Sequence, residues 1–345
     1  MKEELALNPN KVVAFLGKPA KEFTKADIIH YIKENGIRMV NFMYPAGDGR
    51  LKTLNFVINN ATYLDAILTC GEPTIIFSSG SEGMPKGVEL THLNLIGNIK
   101  QCESVLNPSS EDVFLGSLPL FHAFGFSITT MLCLVCGVPV ATCPDPTDAK
   151  LVSRMCAQFK VTIMVATGTF LRMWGINRAV HPLMFEHIRS IYAGAEKIRE
   201  DVRQLYRTKF KLEIFEGFGC TETTPVAAVN TKDVLMDDYK TVLEGNKPGT
   251  VGAPLPGTQF RIVDPDTMEE LSVGEDGLIL IGGAQIMKGY LKDPERTSQA
   301  IVAINGKRWY KTGDKGHVDE DGYLTIVDRY SRFAKLGGEM VSLGS

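Results

Sequence analysis

Charge of one sign is nowhere concentrated in this chain of 345 residues: the formal net charge of −3 is spread without acidic or basic blocks. A basic stripe interleaved with aromatics is also missing, which argues against nucleic acid as a partner. Internal repeats and low-complexity tracts are absent, so a repeat array or a disordered chain is not expected. Cysteines number seven and lack paired metal spacing. The one C-x-x-C, Cys133 to Cys136, sits in an apolar stretch with no second pair, which suits buried thiols rather than a zinc or redox site. No secretory leader opens the sequence at Met1, and the expectation is a cytoplasmic protein with reduced thiols. Charge is missing altogether between His122 and Asp145, long enough to raise a membrane span. Gly137 and Pro139 interrupt that run, and a helix over 126–135 followed by a buried strand over 138–142 accounts for it. No transmembrane segment is therefore expected, with peripheral membrane association left open. What is plentiful is apolar residue, 44% of the chain, enough at this length for more than one packed core.

Thr24 with Asp27 three residues later is an N-cap signature, and Ile28, Ile29 and Ile32 share one face until Gly36, which predicts a helix over 24–35. Segments 38–44 and 50–58 alternate apolar and polar residues around Pro45-Ala46-Gly47-Asp48-Gly49, the pattern of a hairpin. A helix-like segment at 63–69 then leads through Cys70-Gly71-Glu72-Pro73, where a domain boundary is expected. From Thr74 onward, strands at 74–77, 113–117, 138–141, 162–165, 190–193 and 213–217 alternate with glycine loops and helices. That order implies an α/β fold with a largely parallel sheet covered by helices on both faces. Beyond about Lys247, short strands at 259–264, 277–282 and 323–328 between Gly, Pro and Asp turns predict a small antiparallel subdomain. The expected layout is a small α+β segment over 1–72, an α/β core over 73–246, a β-rich subdomain over 247–329 and a stub over 330–345.

The sharpest local signal is Ser78-Ser79-Gly80-Ser81-Glu82-Gly83-Met84-Pro85-Lys86-Gly87, between the strand at 74–77 and a helix opening near Thr91. Hydroxyls, backbone N–H groups and one lysine gather there, which is what a polyphosphate needs. Pro85 stands where a Walker A loop requires its second glycine. Read alone, the segment suits a flexible strand-to-helix connection equally well. His122 within Pro119-Leu120-Phe121-His122-Ala123-Phe124-Gly125 is, on its own, a histidine of an apolar segment with a structural role. Glu222 in Glu216-Gly217-Phe218-Gly219-Cys220-Thr221-Glu222-Thr223 would by itself pass for a carboxylate at a helix N-terminus.

Taken in order, these segments resemble the motifs of the adenylate-forming superfamily, which includes acyl-CoA synthetases, luciferases and peptide-synthetase adenylation domains. The resemblance covers roughly residues 73–345. It implies that Ser78, Ser79, Gly80, Ser81, Gly83 and Lys86 hold the phosphates of ATP and that His122 lies beside the acyl pocket. Gly194, Ala195 and Glu196 of the Ala193-Gly194-Ala195-Glu196 turn would run along adenine. Phe218, standing where many relatives have Tyr, would stack on adenine beside Gly219, Thr221 would orient the α-phosphate and Glu222 would anchor Mg²⁺. Gly289-Tyr290 falls in a motif that is structural in the family. In Tyr310-Lys311-Thr312-Gly313-Asp314, Asp314 would accept from both ribose hydroxyls, with Arg329 as a second ribose contact. The run Ser331 to Leu343, with Arg332 where most relatives are acidic, is closest to the acyl-acyl carrier protein synthetase branch, often fused to a 2-acylglycerophosphoethanolamine acyltransferase of phospholipid metabolism.

The implied activity is ATP-dependent activation of a fatty acid as its acyl-AMP, then transfer to a thiol, either acyl carrier protein or CoA. ATP and Mg²⁺ are the implied cofactors, and Lys86, His122, Thr221 and Glu222 the implied catalytic set. Against the family pattern, the long segment ahead of the phosphate loop is missing, and so is the C-terminal lid with its catalytic lysine. Residues 1–72 instead resemble the N-terminal β-grasp domain of glutamine synthetase, so a recombined or misassembled reading frame joined at Glu72-Pro73 is one expectation. Three readings follow: a ligase that recruits its lid from another chain, a nucleotide-binding remnant without turnover, or a partly folded fusion product with exposed sheet edges.

Overall fold

In the computed structural model the described residues are 11–19, 22–37, 39–45, 51–57, 74–78, 85–330, 333–336 and 339–342. Contacts divide the chain into Met1–Pro73 and Thr74–Ser345.

In the first unit the helix Lys25–Glu34 begins as its sequence predicts. Asp27 N donates to Thr24 Oγ1 at 3.3 Å while Thr24 N donates back to Asp27 Oδ2 at 2.6 Å, a reciprocal capping box. A shorter helix, Lys11–Leu16, precedes it, and Met39–Pro45 pairs antiparallel with Leu51–Val57, Pro45 opposite Leu51. The hairpin tip, the predicted helix at 63–69 and the Glu72-Pro73 join lie outside the described residues.

The second unit is built on a seven-stranded sheet. Its spatial order is Ala253–Pro254, Val226–Val229, Ile214–Gly219, Ser190–Ala193, Ile163–Ala166, Phe114–Gly116 and Val140–Thr142. The five from Ile214–Gly219 onward are parallel, Val226–Val229 runs antiparallel to them, and Ala253–Pro254 pairs antiparallel to Val226–Val229. Ile163–Ala166 and Ser190–Ala193 are buried along their whole length, as strands covered on both faces must be. Successive side chains serve opposite cores. Met164, Ala166 and Ile191 join Leu171, Trp174, Val202 and Tyr206 on one face. Ile163, Val165 and Tyr192 join Ile99, Leu106, Ile128 and Leu132 on the other.

The charge-free stretch forms one helical run, Ala123–Phe126, a π-helical Ser127–Leu132 and Cys133–Cys136, stopped by Gly137 at φ +68°. Thr129 Oγ1 and Thr130 Oγ1 both donate to the Gly125 carbonyl, at 2.8 and 3.2 Å, where the run widens. It starts three residues earlier than the sequence pattern predicts, because His122 caps it. Among the described residues no helix is long and apolar enough to cross a membrane.

The β-rich part pairs Gln259–Val263, Gly277–Gly282, Lys307–Val318 and Ile301–Ile304 in that order, with Leu324–Arg329 also on Lys307–Val318, all antiparallel. A third sheet joins Thr74–Ser78, Lys86–Leu90 and Gly289–Tyr290. Here the sequence pattern misled. The strand at 74–78 stands apart from the parallel sheet, and the glycine-rich loop leads into a second strand that places Lys86 opposite Ser78. The signal for that strand was the burial of Val88 and Leu90 around Glu89, a period of two over too few residues to read. The helix His92–Leu106 follows it, capped by Thr91 and Asn94.

Candidate functional site

Open α/β sheets bind ligands outside the carboxyl ends of their strands, and the large cavity of the second unit, about 560 Å³, lies there. Ser190–Ala193 ends in Gly194 and Ala195, and Ile214–Gly219 ends in Cys220, Thr221 and Glu222; all of these line the cavity. Gly219 has to be glycine, since a Cβ there would stand 1.7 Å from the Pro225 carbonyl of the returning strand. Ala195 is held at φ +69°, a strained conformation for a residue with a Cβ.

The third sheet closes the opposite wall. Ser78 and Lys86 reach the cavity from its hairpin and Tyr290 from its short edge strand. The Tyr290 hydroxyl donates to Glu222 Oε1 at 2.9 Å, and Lys86 Nζ stands 5.4 Å from the centre of the Tyr290 ring. Glu222 is buried, its carbonyl accepting from Met287 N at 2.9 Å. Burial, reinforced by the Glu222 carboxylate, pushes the Tyr290 hydroxyl far above its ordinary value, which keeps it a donor.

His122 sits at the mouth of the helical run, where its Nδ1 accepts from Phe124 N at 3.2 Å. Loss of solvent lowers its pKa, favouring the neutral ring that this bond requires. Beyond Phe124 the cavity turns apolar, between the helix His92–Leu106 and the sheet, along Cys102, Leu106, Ile128, Val226, Val229 and Leu255. At the other end Thr312 and Gly313 lead to Asp314, which pairs with Arg329 (Nε to Oδ1, 3.1 Å) across adjacent strands.

The cavity thus gathers Ser78, Lys86, His122, Gly194, Ala195, Phe218, Gly219, Thr221, Glu222 and Arg329. Asp314 reaches it through its ion pair with Arg329. Ser79, Gly80, Ser81 and Gly83 lie outside the described residues. Glu196 is turned away: its Oε2 accepts from Thr169 Oγ1 at 3.0 Å and its Oε1 from Thr169 N, at the start of the helix Gly168–Ile176. Tyr290 and Tyr310 line the cavity and were not singled out from the sequence. Nothing in a two-residue strand announces that one hydroxyl meets a carboxylate 68 positions away.

Among the described residues no group of three or more His, Cys, Asp or Glu is placed to hold a metal. Mg²⁺ asks for less: one carboxylate together with phosphate oxygens and water suffices. Glu222 fits that demand, since only one of its carboxylate oxygens has a hydrogen-bond partner among the described residues.

Known proteins share this architecture. The family described as AMP-binding enzyme matches residues 73–291. The chain is 31% identical over 304 residues to a probable 4-coumarate--CoA ligase 2 of Dictyostelium discoideum, covering 86% of this chain and 52% of that protein. It is 34% identical over 278 residues to 4-coumarate--CoA ligase 2 of Nicotiana tabacum, covering 77% and 48%. The chain spans about half the length of the curated relatives it matches. Among solved structures, O-succinylbenzoate Coenzyme A synthetase (MenE) of Bacillus subtilis in complex with AMP superposes with a TM-score of 0.64 at 27% identity, over 78% of this chain and 52% of that one. Apo MatB of Rhodopseudomonas palustris shares the fold, with a TM-score of 0.68 at 23% identity over 96% and 68%.

Proposed function

The chain belongs to the AMP-binding enzyme family, and on that premise we propose that its cavity activates a carboxylic acid with ATP and passes the acyl group to a thiol. The observation that carries this is convergence: Lys86, Thr221, Glu222 and Arg329, far apart in sequence, meet on one cavity with a polar end and an apolar end.

The acid's oxygen attacks the α-phosphorus, the bond to the β-phosphate oxygen breaks, and pyrophosphate leaves, giving acyl-AMP. A thiolate then attacks the acyl carbon and AMP departs. The nucleophile belongs to the substrate, so the protein's work is positioning and charge neutralisation. Lys86 and Ser78, with Ser79, Gly80, Ser81 and Gly83 of the same loop, hold the departing phosphates. Thr221 orients the α-phosphate, Phe218 stacks on adenine against the Gly194–Ala195 backbone, and the Asp314–Arg329 pair takes the ribose. Mg²⁺ held by Glu222 would neutralise charge on the phosphates. The neutral His122 faces the bound acid at the junction of the two ends.

A fatty acid is our reading of the substrate, because the far end of the cavity presents only apolar side chains and Cys102. Acyl carrier protein is our reading of the acceptor, resting on the run 331–343. CoA is the alternative, favoured by the relatives' printed names. A cytoplasmic protein with at most peripheral membrane contact suits either. Radiolabelled pyrophosphate should exchange into ATP only when a fatty acid is present, and offering both thiols to the same protein should identify the acceptor. Exchange supported by 4-coumarate and not by fatty acids would replace the substrate reading. Protein that binds ATP without any exchange would leave only nucleotide binding.

A further inference from the structure

Tyr290 is anchored on every side. Its backbone pairs with Val88 of the strand that carries Lys86, and its N–H donates to Thr297 Oγ1 at 2.9 Å. The single hydroxyl proton goes to Glu222 Oε1. The Tyr290 ring lies beneath Lys86 Nζ. A tyrosine serving the core alone needs any nearby acceptor. Here the acceptor is a carboxylate at a cavity wall whose other oxygen has no hydrogen-bond partner among the described residues.

We propose that Tyr290 is a positioning residue that fixes the Glu222 carboxylate, with one oxygen held and the other left to Mg·ATP, and seats Lys86 on the opposite side of the same phosphates. This rests on the reading of Glu222 as the Mg²⁺ anchor. A carboxylate held by a neighbour's hydrogen bond gives up no rotamer freedom when the cation arrives. The family motif that contains Gly289-Tyr290 then contributes to the chemistry through Glu222 as well as to the fold.

The test is calorimetric titration of ATP into the full chain, without any acid so that no turnover occurs, across a Mg²⁺ series and in EDTA. For Tyr290→Phe, the Mg²⁺ concentration that half-maximally tightens ATP binding should rise about tenfold, while binding in EDTA is unchanged. Adding Tyr290→Phe to Glu222→Gln should change nothing further, because the hydroxyl acts through the carboxylate. Tyr290→Phe that matches wild type at every Mg²⁺ concentration overturns the proposal, as does an equal loss of ATP binding with and without the metal. If Tyr290→Phe does not fold, Thr297→Val, which releases the Tyr290 N–H, decides: a raised Mg²⁺ midpoint with binding in EDTA unchanged supports the positioning, and a wild-type midpoint or an equal loss with and without the metal refutes it. Wild-type protein whose ATP affinity ignores Mg²⁺ overturns the reading of Glu222, and the proposal with it, before any variant is made.

Discussion

Arg203→Met tests whether the strand that ends at the cavity is held in place by a buried charge pair. Arg203 on the helix Glu200–Leu205 and Glu216 on the strand Ile214–Gly219 are 9% and 8% exposed at their side chains. Arg203 Nη2 donates to Glu216 Oε2, Nη1 donates to the Ile214 carbonyl at 3.0 Å, and Glu216 Oε1 accepts from Ile198 N at 3.1 Å. Methionine keeps the stem and removes both donors. Two charge-assisted bonds at about 1.5–3 kcal/mol each put the loss at about 3–6 kcal/mol, in line with the roughly 3–5 kcal/mol found when one member of a buried pair is removed. Burial raises the Glu216 carboxyl above its ordinary 4.5, with the Ile198 N–H and Arg203 pulling it back, so removing Arg203 raises it further. The folded variant then holds its proton to higher pH than the unfolded chain, and its stability falls as pH rises through that window. The deficit should be near its full size at pH 7 and clearly smaller near pH 5. Urea denaturation followed by tryptophan fluorescence reads this unit alone, because both tryptophans, Trp174 and Trp309, lie within Thr74–Ser345. Arg203→Met/Glu216→Gln should recover more than half of the loss. A deficit below about 1 kcal/mol, or one that does not change between the two pH values, refutes the assignment.

Asp112 is buried and accepts from Arg189 Nε and Nη2 at 2.7 and 2.8 Å, from Thr162 Oγ1 at 2.7 Å and from Ser109 N at 2.8 Å. Burial pushes its carboxyl up, but these donors outweigh it and hold the group far below the ordinary 3.8, so its contribution is complete above that value and fades as pH drops below it. Asp112→Asn should cost about 2 kcal/mol at pH 7, a difference that denaturation curves should show closing toward pH 3. For His122, whose pKa burial lowers from 6.5, stability should decline as pH falls below that value, because protonation removes the acceptor for Phe124 N. His122→Asn keeps a cap acceptor without a titrating group, so thermal melts of the two proteins should diverge between pH 7 and pH 5, and parallel profiles would contradict the cap. Val229→Phe narrows the apolar end of the cavity and should reduce pyrophosphate exchange supported by a long fatty acid about tenfold or more. Exchange supported by a short acid should persist, and equal losses for both acids would place the acyl group elsewhere.

The buried parallel strands were legible because a continuous apolar run leaves few alternatives: 162–165 and 190–193 were predicted within one residue of Ile163–Ala166 and Ser190–Ala193. The helix at Lys25–Glu34 was legible through both halves of its capping box. Lys86–Leu90 was not, because glycine and a single alternation over five residues look like the end of a loop; its partner strand is what makes it a strand. The site divides along the same line. Lys86, Phe218, Thr221 and Glu222, which line one cavity, stand out in the sequence because their motifs follow one another in order, which is information about a family rather than about contacts.

Glu196 shows the limit of such transfer. Its neighbours Gly194 and Ala195 line the cavity through the turn they share, whereas its own carboxylate is taken by Thr169 at the start of the helix Gly168–Ile176, where free N–H groups draw a negative charge. Adjacency in a motif says nothing of where a side chain goes. Tyr290 is the converse case. Its motif reads as structural, yet its hydroxyl is spent on a carboxylate of another motif. A buried hydroxyl must find an acceptor, but which one is decided by the packing of the edge strand Gly289–Tyr290 against Lys86–Leu90. That contact is a property of the folded sheet. It is the reason a residue read as structural in the sequence can govern the group beside it in the structure.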